Sequence, residues 1–143
     1  NTGQPDDSTN AALRMYARAD LLRFQHNNSS AILCLDSLIH NFPNSELTDE
    51  AWFMKAEILQ SEGRYNEAIK TFDIVCTNYS DGILAAKATY RQATIYETYL
   101  HDNQSAMTKY LKVITDFTGS ILVVDARHNY RRLRGDKIEQ TSR

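Results

Sequence analysis

The sequence predicts an all-α protein, a right-handed α-solenoid of three helix pairs that ends in a capping helix. Three observations carry this prediction. First, Ala31, Ala68 and Ala106 follow one another at steps of 37 and 38 residues, and each opens the same apolar pattern. Second, the apolar residues within each copy have helical spacing. Third, proline and glycine fall between the helices rather than within them, as expected for a chain of stacked repeats.

The second helix of each predicted pair carries one apolar face with the spacing i, i+4, i+7, i+8, i+11. The faces consist of Ala31, Leu35, Leu38, Ile39 and Phe42, then Ala68, Phe72, Val75, Cys76 and Tyr79, then Ala106, Tyr110, Val113, Ile114 and Phe117. We place the cap of the first of these helices at Ser29 or Ser30 and its end before Pro43.

The first helix of each pair has a narrower apolar stripe whose middle member is always alanine. The stripes are Met15, Ala19 and Leu22, then Trp52, Ala56 and Leu59, then Thr89, Ala93 and Tyr96. Small residues let two helices approach closely, so we predict that Ala56 faces Ala68 and that leucine at either position costs about 1–3 kcal/mol. The earliest helix is placed near Asn10, and the first helix of the second pair from Thr48 or Asp49 to Gly63.

These patterns divide the chain into a leader, an array and a tail. We predict a polar leader over 1–10, helix pairs over about 11–46, 47–82 and 83–118, a capping helix over 119–135 and a polar tail over 136–143. The capping helix is predicted because Arg131 stands where the other first helices have alanine, so no second helix packs against it. Gly135 supplies its C-terminal stop.

The spacing Trp52-x2-Lys55-Ala56-x2-Leu59, followed by Ala68-x3-Phe72, resembles the tetratricopeptide repeat (TPR) signature over roughly residues 11–135. Pro43 follows Ala31 where that signature has its proline, whereas Ser80 and Thr118 replace it later and Lys55 replaces a leucine. The resemblance implies three TPR-like helix pairs that bind a protein or peptide.

The repeat is longer than the usual period of about 34 residues, and most of the excess lies between the helix pairs. The connecting segments are 42–47, 79–84 and 117–122, with the pattern aromatic-x-x-small-x-x. This segment resembles the bacterial envelope subgroup of TPR proteins, found in outer-membrane assembly lipoproteins and the cell-division coordinator family. The resemblance, together with a start at Asn1 and a polar leader, favours a periplasmic or outer-membrane-tethered protein, with the cytoplasm as the alternative.

Composition and motifs give no support for catalysis. The hydrophobic fraction of 42% with 24% charged residues is typical of a folded protein. No apolar run is long enough for a membrane span, the histidines are isolated, and no glycine is left for a phosphate loop. We predict no catalytic residue, no metal, no cofactor and no nucleic-acid partner. Cys76 is interpreted as a small buried residue and Cys34 as a more exposed one, in positions that disfavour a disulfide.

The first candidate surface is the stripe beside the alanines on each first helix, which points to the concave side of a stacked array. Its residues are Tyr16, Asp20 and Arg23, then Phe53, Glu57 and Gln60, then Tyr90, Thr94 and Glu97. Aromatic and polar residues together suit peptide recognition. The alternative is that the aromatics only fill the seam between neighbouring pairs. Co-chaperone TPR proteins bind a C-terminal carboxylate on this face with Lys and Asn side chains. This sequence has Asp20 and Glu57 there, which favour a basic or apolar peptide segment instead.

The second candidate surface is the capping helix, because residues 127–143 carry a net charge of +4 while residues 1–126 carry −6. Its basic residues are Arg127, His128, Arg131, Arg132 and Arg134. This surface is either a solvated end of the array or a dock for an acidic partner, a lipid headgroup or another copy of the chain.

The leading hypothesis is therefore a non-enzymatic interaction module taken from a larger bacterial protein. A structural spacer or an oligomerisation segment is the competing hypothesis. An enzyme whose catalytic domain lies upstream is the third.

Overall fold

The computed structural model describes residues 7–78 and 82–135, and all the regular secondary structure within them is α-helical. The helices are α1 (Asp7–Phe24), α2 (Asn28–Asn41), α3 (Thr48–Ser61), α4 (Tyr65–Asn78), α5 (Ile83–Thr98), α6 (Asn103–Asp116) and α7 (Val123–Arg134). Most of the predicted leader, part of the second connecting segment and the predicted tail lie outside the described residues. The chain forms two compact units, Asn1–Thr71 and Phe72–Arg143, with the boundary inside α4.

In the first unit, α2 packs against both α1 and α3. The core consists of Ala19, Ala31, Leu35, Leu38, Ala51, Met54 and Ile58. Two details differ from the prediction. Helix α1 begins at Asp7 rather than near Asn10. Helix α2 begins at Asn28 and Asn27 occupies its cap position without a side-chain hydrogen bond, so the proposed Ser29 or Ser30 cap is wrong.

In the second unit, α6 packs against both α5 and α7. The core consists of Ala93, Ala106, Tyr110, Val113, Val123 and Ala126. On α7, Arg131 is exposed, whereas Ala93 at the equivalent position of α5 is completely buried. Gly135 ends α7 with a φ of +92°, in the left-handed region that favours glycine. Gly135 therefore ends α7 as predicted.

The longer period of this repeat has a local structural cause in the connecting segment. In the first unit, the Ser45 hydroxyl accepts a hydrogen bond from the Leu47 amide at 3.1 Å, and the Ser45 amide donates to the Phe42 carbonyl at 3.0 Å. In the second unit, Ser120 makes the same two bonds, from Leu122 at 3.1 Å and to Phe117 at 2.9 Å. In these two segments the small residue of the pattern is a serine that stabilises a turn before the next helix, whereas Gly82 stands at this position in the segment 79–84.

A different turn joins the two helices of each pair, and it contains a residue with positive φ. Gly63 has a φ of +78° between α3 and α4. His26 and His101 occupy the equivalent positions in the other pairs, with φ values of +62° and +53°. This position explains two of the four histidines without a functional role, since histidine is one of the residues that enter the left-handed region more often than most.

Replacing His26 or His101 with glycine is expected to stabilise the protein. Relief of the left-handed conformation contributes about 1–2 kcal/mol, and the greater freedom of glycine in the unfolded chain offsets about 0.4–1 kcal/mol of it. The free energy of unfolding in urea should therefore rise by roughly 0.5–1 kcal/mol. The matched control is His40→Gly in the last turn of α2, where glycine should destabilise. Destabilisation by all three substitutions would contradict the described turn.

Candidate functional site

The candidate stripe of the first unit lies on α1 and α3. Tyr16, Asp20 and Arg23 come from α1, and Phe53, Glu57 and Gln60 come from α3. An ion pair connects the two helices, with the Arg23 guanidinium 2.9 Å from a Glu57 carboxylate oxygen. The two side chains are 39% and 20% exposed, so water screens the pair and its contribution to stability is about 0–1 kcal/mol.

The candidate stripe of the second unit belongs to a closed network of five side chains from α5, α6 and α7. The Tyr110 hydroxyl donates to Glu97 at 3.0 Å, and the Arg132 guanidinium lies 2.6 Å from the other Glu97 oxygen. Arg132 also donates to Asn129 at 3.1 Å, and the Asn129 amide donates to the Tyr90 hydroxyl at 3.0 Å. The rings of Tyr90 and Tyr110 complete the circuit edge to face at 5.5 Å. These contacts bind the three helices together.

The two units use the same pair of helix positions with the charges exchanged. We call α1, α3, α5 and α7 the first-type helices, because each stands at the position of the first helix of a pair. Arg23 and Glu97 occupy equivalent places near the ends of α1 and α5. Glu57 and Arg132 occupy equivalent places on the next first-type helices, α3 and α7. In both units the residue near the end of one helix bonds to its counterpart on the next helix. Arg23, Glu57 and Glu97, predicted to contact a partner, therefore also hold the fold together.

Acidic side chains surround the tyrosines of both stripes. Burial raises the pKa of Tyr16, and the neighbouring carboxylates of Glu50 and Asp20 raise it further. Burial also raises the pKa of Tyr90, and Asp125 adds to that rise. Glu50 and Asp125 are equivalent first-turn residues of α3 and α7, so each tyrosine faces an acid from the next first-type helix. Both stripes therefore present an aromatic ring next to negative charge.

The basic residues predicted on the capping helix do not act as one group. Arg127, His128 and Arg131 are exposed on α7. Arg132 instead bonds to Glu97 and belongs to the network described above. Arg134 lies over the Tyr130 ring, with its guanidinium carbon 5.2 Å from the ring centre.

Sequence patterns did not reveal Tyr110 and Asn129 as parts of the candidate site. Tyr110 was assigned to the core, and Asn129 lies between two residues of an arginine-rich row. A second repeated contact was also missed. The Lys55 ammonium lies 2.7 Å from Asp36, and the Gln92 amide donates to Asp73 at 2.7 Å. The two residues of each pair are 19 positions apart in the sequence, and the second pair lies one repeat period after the first. Alignment of the repeats of this chain with one another, at their polar positions, would therefore have found both pairs.

The buried tyrosine in the network gives a prediction for alkaline pH. Burial raises the pKa of the Tyr110 phenol, and its hydrogen bond to Glu97 raises it further. The folded state therefore holds this proton more tightly than the unfolded state, so the stabilisation is complete below pH about 10 and is lost as pH rises above it. We expect the melting temperature to fall above that pH and to fall less in Tyr110→Phe.

Circular dichroism melts across the alkaline range, with phenolate absorbance recorded in parallel, measure this effect. Tyr99→Phe is the control, since Tyr99 is 45% exposed. An alkaline fall that is equally steep in Tyr110→Phe and the parent chain would contradict the role given to Tyr110.

The two cysteines do not form a disulfide. Cys34 and Cys76 are free thiols of intermediate exposure, so Cys76 is not completely buried as expected, and burial raises the pKa of both thiols. The Cys34 thiol donates to the Met15 carbonyl oxygen at 3.2 Å, and the Cys76 thiol donates to the Ala85 carbonyl oxygen at 3.7 Å.

Among residues 7–78 and 82–135, no group of three or more His, Cys, Asp or Glu side chains is placed to hold a metal ion. None of the helices in this part of the chain is long and apolar enough to cross a membrane.

Comparison with known proteins identifies the class of fold. Residues 50–82, which include most of α3 and all of α4, match the tetratricopeptide repeat family. The N-terminal domain of stress-induced protein-1 (STI-1) from C. elegans is similar in structure, with a TM-score of 0.71 and 18% sequence identity over 87% of this chain and 98% of that domain. None of the curated proteins compared with the chain matches it.

These two findings support the TPR family and confirm the predicted fold class, an all-α array of TPR-like helix pairs. The structural likeness, at this low identity, concerns the fold alone. Neither finding bears on the bacterial envelope subgroup. TPR folds generally mediate protein–protein interaction.

Proposed function

We propose that the chain is a non-enzymatic interaction module that binds a basic or apolar peptide segment along the stripe of its first-type helices. The observation that carries this proposal is the repeated pairing of a tyrosine with acids from its own and the next first-type helix. The carboxylates of Glu50 and Asp20 raise the pKa of Tyr16, and that of Asp125 raises the pKa of Tyr90. An aromatic ring beside carboxylates suits a lysine or arginine side chain, which stacks on the ring and pairs with the acid.

The internal bonds limit which residues are available to a partner. Glu57, Glu97 and Arg132 are already engaged in ion pairs, so their first contribution is to fix the helices that present the stripe. Asp20 and Glu50 are exposed, and both raise the pKa of Tyr16. We therefore assign the main contacts of the first unit to Tyr16, Asp20 and Glu50, with Phe53 beside them on α3.

The test is a binding titration with a fluorescent extended peptide that alternates lysine and leucine, compared with a matched peptide that has glutamate in place of lysine. We expect the basic peptide to bind more tightly. The double substitution Asp20→Lys and Glu50→Lys is expected to weaken its binding about tenfold or more, because two attractive pairs become repulsive.

The matched control reverses two exposed acids on other surfaces, Glu46→Lys and Asp116→Lys, so that the net charge changes equally. Circular dichroism of both variants checks that the fold is kept. An equal loss of affinity in the two variants would show that the loss depends on net charge and not on this site. Absence of saturable binding by any peptide would contradict the proposal. If sedimentation shows that the parent chain only associates with itself, the result favours the alternative function, a structural spacer or oligomerisation segment.

The envelope placement is a finer part of the proposal, and it rests on the connecting segment. The serine-stabilised turn recurs at 42–47 and 117–122, and its pattern resembles that of bacterial envelope TPR proteins. Localisation of a tagged full-length parent protein by cell fractionation tests a periplasmic or outer-membrane-tethered position. Recovery in the cytoplasmic fraction would contradict it.

A further inference from the structure

A groove recurs at the same place in both units, between the start of a first-type helix and the connecting segment that follows its helix pair. The α1 groove of the first unit lies between the start of α1 and the segment 42–47, with a volume of about 800 Å³. The α5 groove of the second unit lies between the start of α5 and the segment 117–122, with a volume of about 430 Å³. Because it is repeated, the groove is a property of this repeat and not of one irregular loop.

The two grooves differ in the chemistry of their walls. Among the described residues that line the α5 groove, Lys87 alone carries a charge, and most of the others are apolar: Ile83, Ala86, Phe117, Ile121 and Leu122. The α1 groove is lined by Glu46 and Glu50, with no cation among its described lining residues. Charge complementarity therefore favours an apolar ligand with a negative group in the α5 groove.

The two isoleucines of the α5 groove occupy one repeated position that faces solvent in every copy. Thr9, Glu46, Ile83 and Ile121 lie one repeat period apart, and all four are exposed. Ile83 and Ile121 are 80% and 88% exposed, although α6 and α7 follow the first and α5 and α6 precede the second. Since the other copies have polar residues here, packing does not require isoleucine at this position. Large apolar side chains that stay exposed beside one another indicate a contact surface.

We propose that the α5 groove is a docking site for an extended segment of a partner protein that carries a large apolar residue next to an acidic one. The apolar side chain fills the space between Ile83, Phe117 and Ile121, and the carboxylate pairs with the Lys87 ammonium. The volume is within the range of ligand-binding pockets, about 300–1,000 Å³. Because both isoleucines are exposed, the groove is open to solvent and has room for a chain that continues in both directions.

This groove is a second site, separate from the stripe of the first-type helices. The stripe places carboxylates beside Tyr16 and Tyr90, so it favours a basic segment. The α5 groove places Lys87 beside apolar walls, so it favours an acidic one. The two sites therefore select opposite charges and can be tested independently.

Gly119 allows a steric test of the groove. It lines the α5 groove, and a β-carbon at this position would have no atom within 4 Å apart from its chain neighbours. Its φ lies outside the left-handed region, so other residues can adopt this backbone conformation. Gly119→Trp is therefore expected to fill the groove while the fold is kept. Asn44→Trp, at the equivalent place in the α1 groove, is the matched control.

The probe is an acetylated and amidated peptide with the sequence Gly-Ser-Phe-Leu-Asp-Ser-Gly, added to the isotopically labelled whole chain. Two-dimensional NMR spectra of backbone amides and isoleucine methyl groups follow the titration. We expect saturable shifts of the Ile83 and Ile121 methyl signals and of the Gly119 amide. The amide of Gly63, in the turn between α3 and α4, should not shift.

Substitutions in the groove should change the affinity in a defined way. Gly119→Trp and Ile121→Asp are each expected to weaken binding about tenfold or more, whereas Asn44→Trp should leave it unchanged. A peptide with lysine in place of its aspartate should bind about threefold more weakly than the acidic peptide, and Lys87→Glu should reverse this order. Circular dichroism checks that each variant is folded.

Four results would overturn the proposal. One is the absence of saturable shifts at the groove, and another is equal affinity for the parent chain and Gly119→Trp. A third is self-association in sedimentation experiments that Ile121→Asp abolishes, which would assign the groove to a second copy. The fourth is binding of hexanoate at the same signals as tightly as the peptide, which would assign the groove to a small amphipathic anion. None of the substitutions changes Tyr16, Asp20 or Glu50, so failure here is distinct from failure of the proposed stripe.

Discussion

Replacing Tyr110 with alanine is expected to lower the free energy of unfolding by about 3–5 kcal/mol. The ring is 1% exposed in the core of the second unit and lies edge to face against Tyr90. Alanine removes this buried aromatic surface, leaves a cavity and also removes the hydroxyl that donates to Glu97. Since a domain of this kind has about 5–15 kcal/mol in total, the variant should lose a large fraction of its stability. Urea titration followed by circular dichroism measures the change.

Two companion variants separate the ring from its hydroxyl. Tyr110→Phe keeps the ring and should cost about 1.5–3 kcal/mol for the lost hydrogen bond to the Glu97 carboxylate. Leu111→Ala changes the next residue, which is 41% exposed, and should stay within about 0.5 kcal/mol of the parent chain. If Tyr110→Ala were no more harmful than Leu111→Ala, the described core of the second unit would be wrong.

Substituting leucine for Ala93 is expected to destabilise the protein by about 1–3 kcal/mol. Ala93 on α5 is fully buried in one core cluster with Ala106 on α6, and the two helices pack directly against each other. Three additional carbon atoms must displace one helix or force neighbouring side chains from their preferred rotamers. The melting temperature should fall clearly, while the helical content at low temperature remains high.

Lys87→Leu on the same helix is the control, because Lys87 is exposed. It should leave the melting temperature nearly unchanged. Equal effects of the two substitutions would show that the assignment of buried and exposed sides of α5 is incorrect.

Much of the fold follows from local features of the sequence. The predicted start at Thr48 agrees with α3, and Gly135 ends α7 as expected. These positions depend on helical spacing and on the backbone preferences of a few residues, which act over one or two turns. The start of α1 and the cap of α2 were predicted less well. Helix ends are weakly specified, because several polar residues in a row can begin a helix and an N-cap side chain need not form its hydrogen bond.

The sequence was less informative about the candidate site. It identified Tyr16, Tyr90 and Glu97 as residues on the same side of the first-type helices, since that follows from spacing alone. It did not indicate that Glu97 bonds to Tyr110 and Arg132. Such bonds depend on side-chain positions on separate helices, and a periodic pattern within one helix contains no information about them.

The sequence by itself determined that this protein is a chain of paired helices closely packed at alanines, because repeat period and side-chain size are properties of the chain. Only the tertiary structure decided that charges on the candidate stripe pair with each other, as Arg23 does with Glu57. The physical reason is distance along the chain. Arg23 and Glu57 are 34 residues apart, and packing of α1 and α3 in one unit brings their charged atoms within hydrogen-bond range.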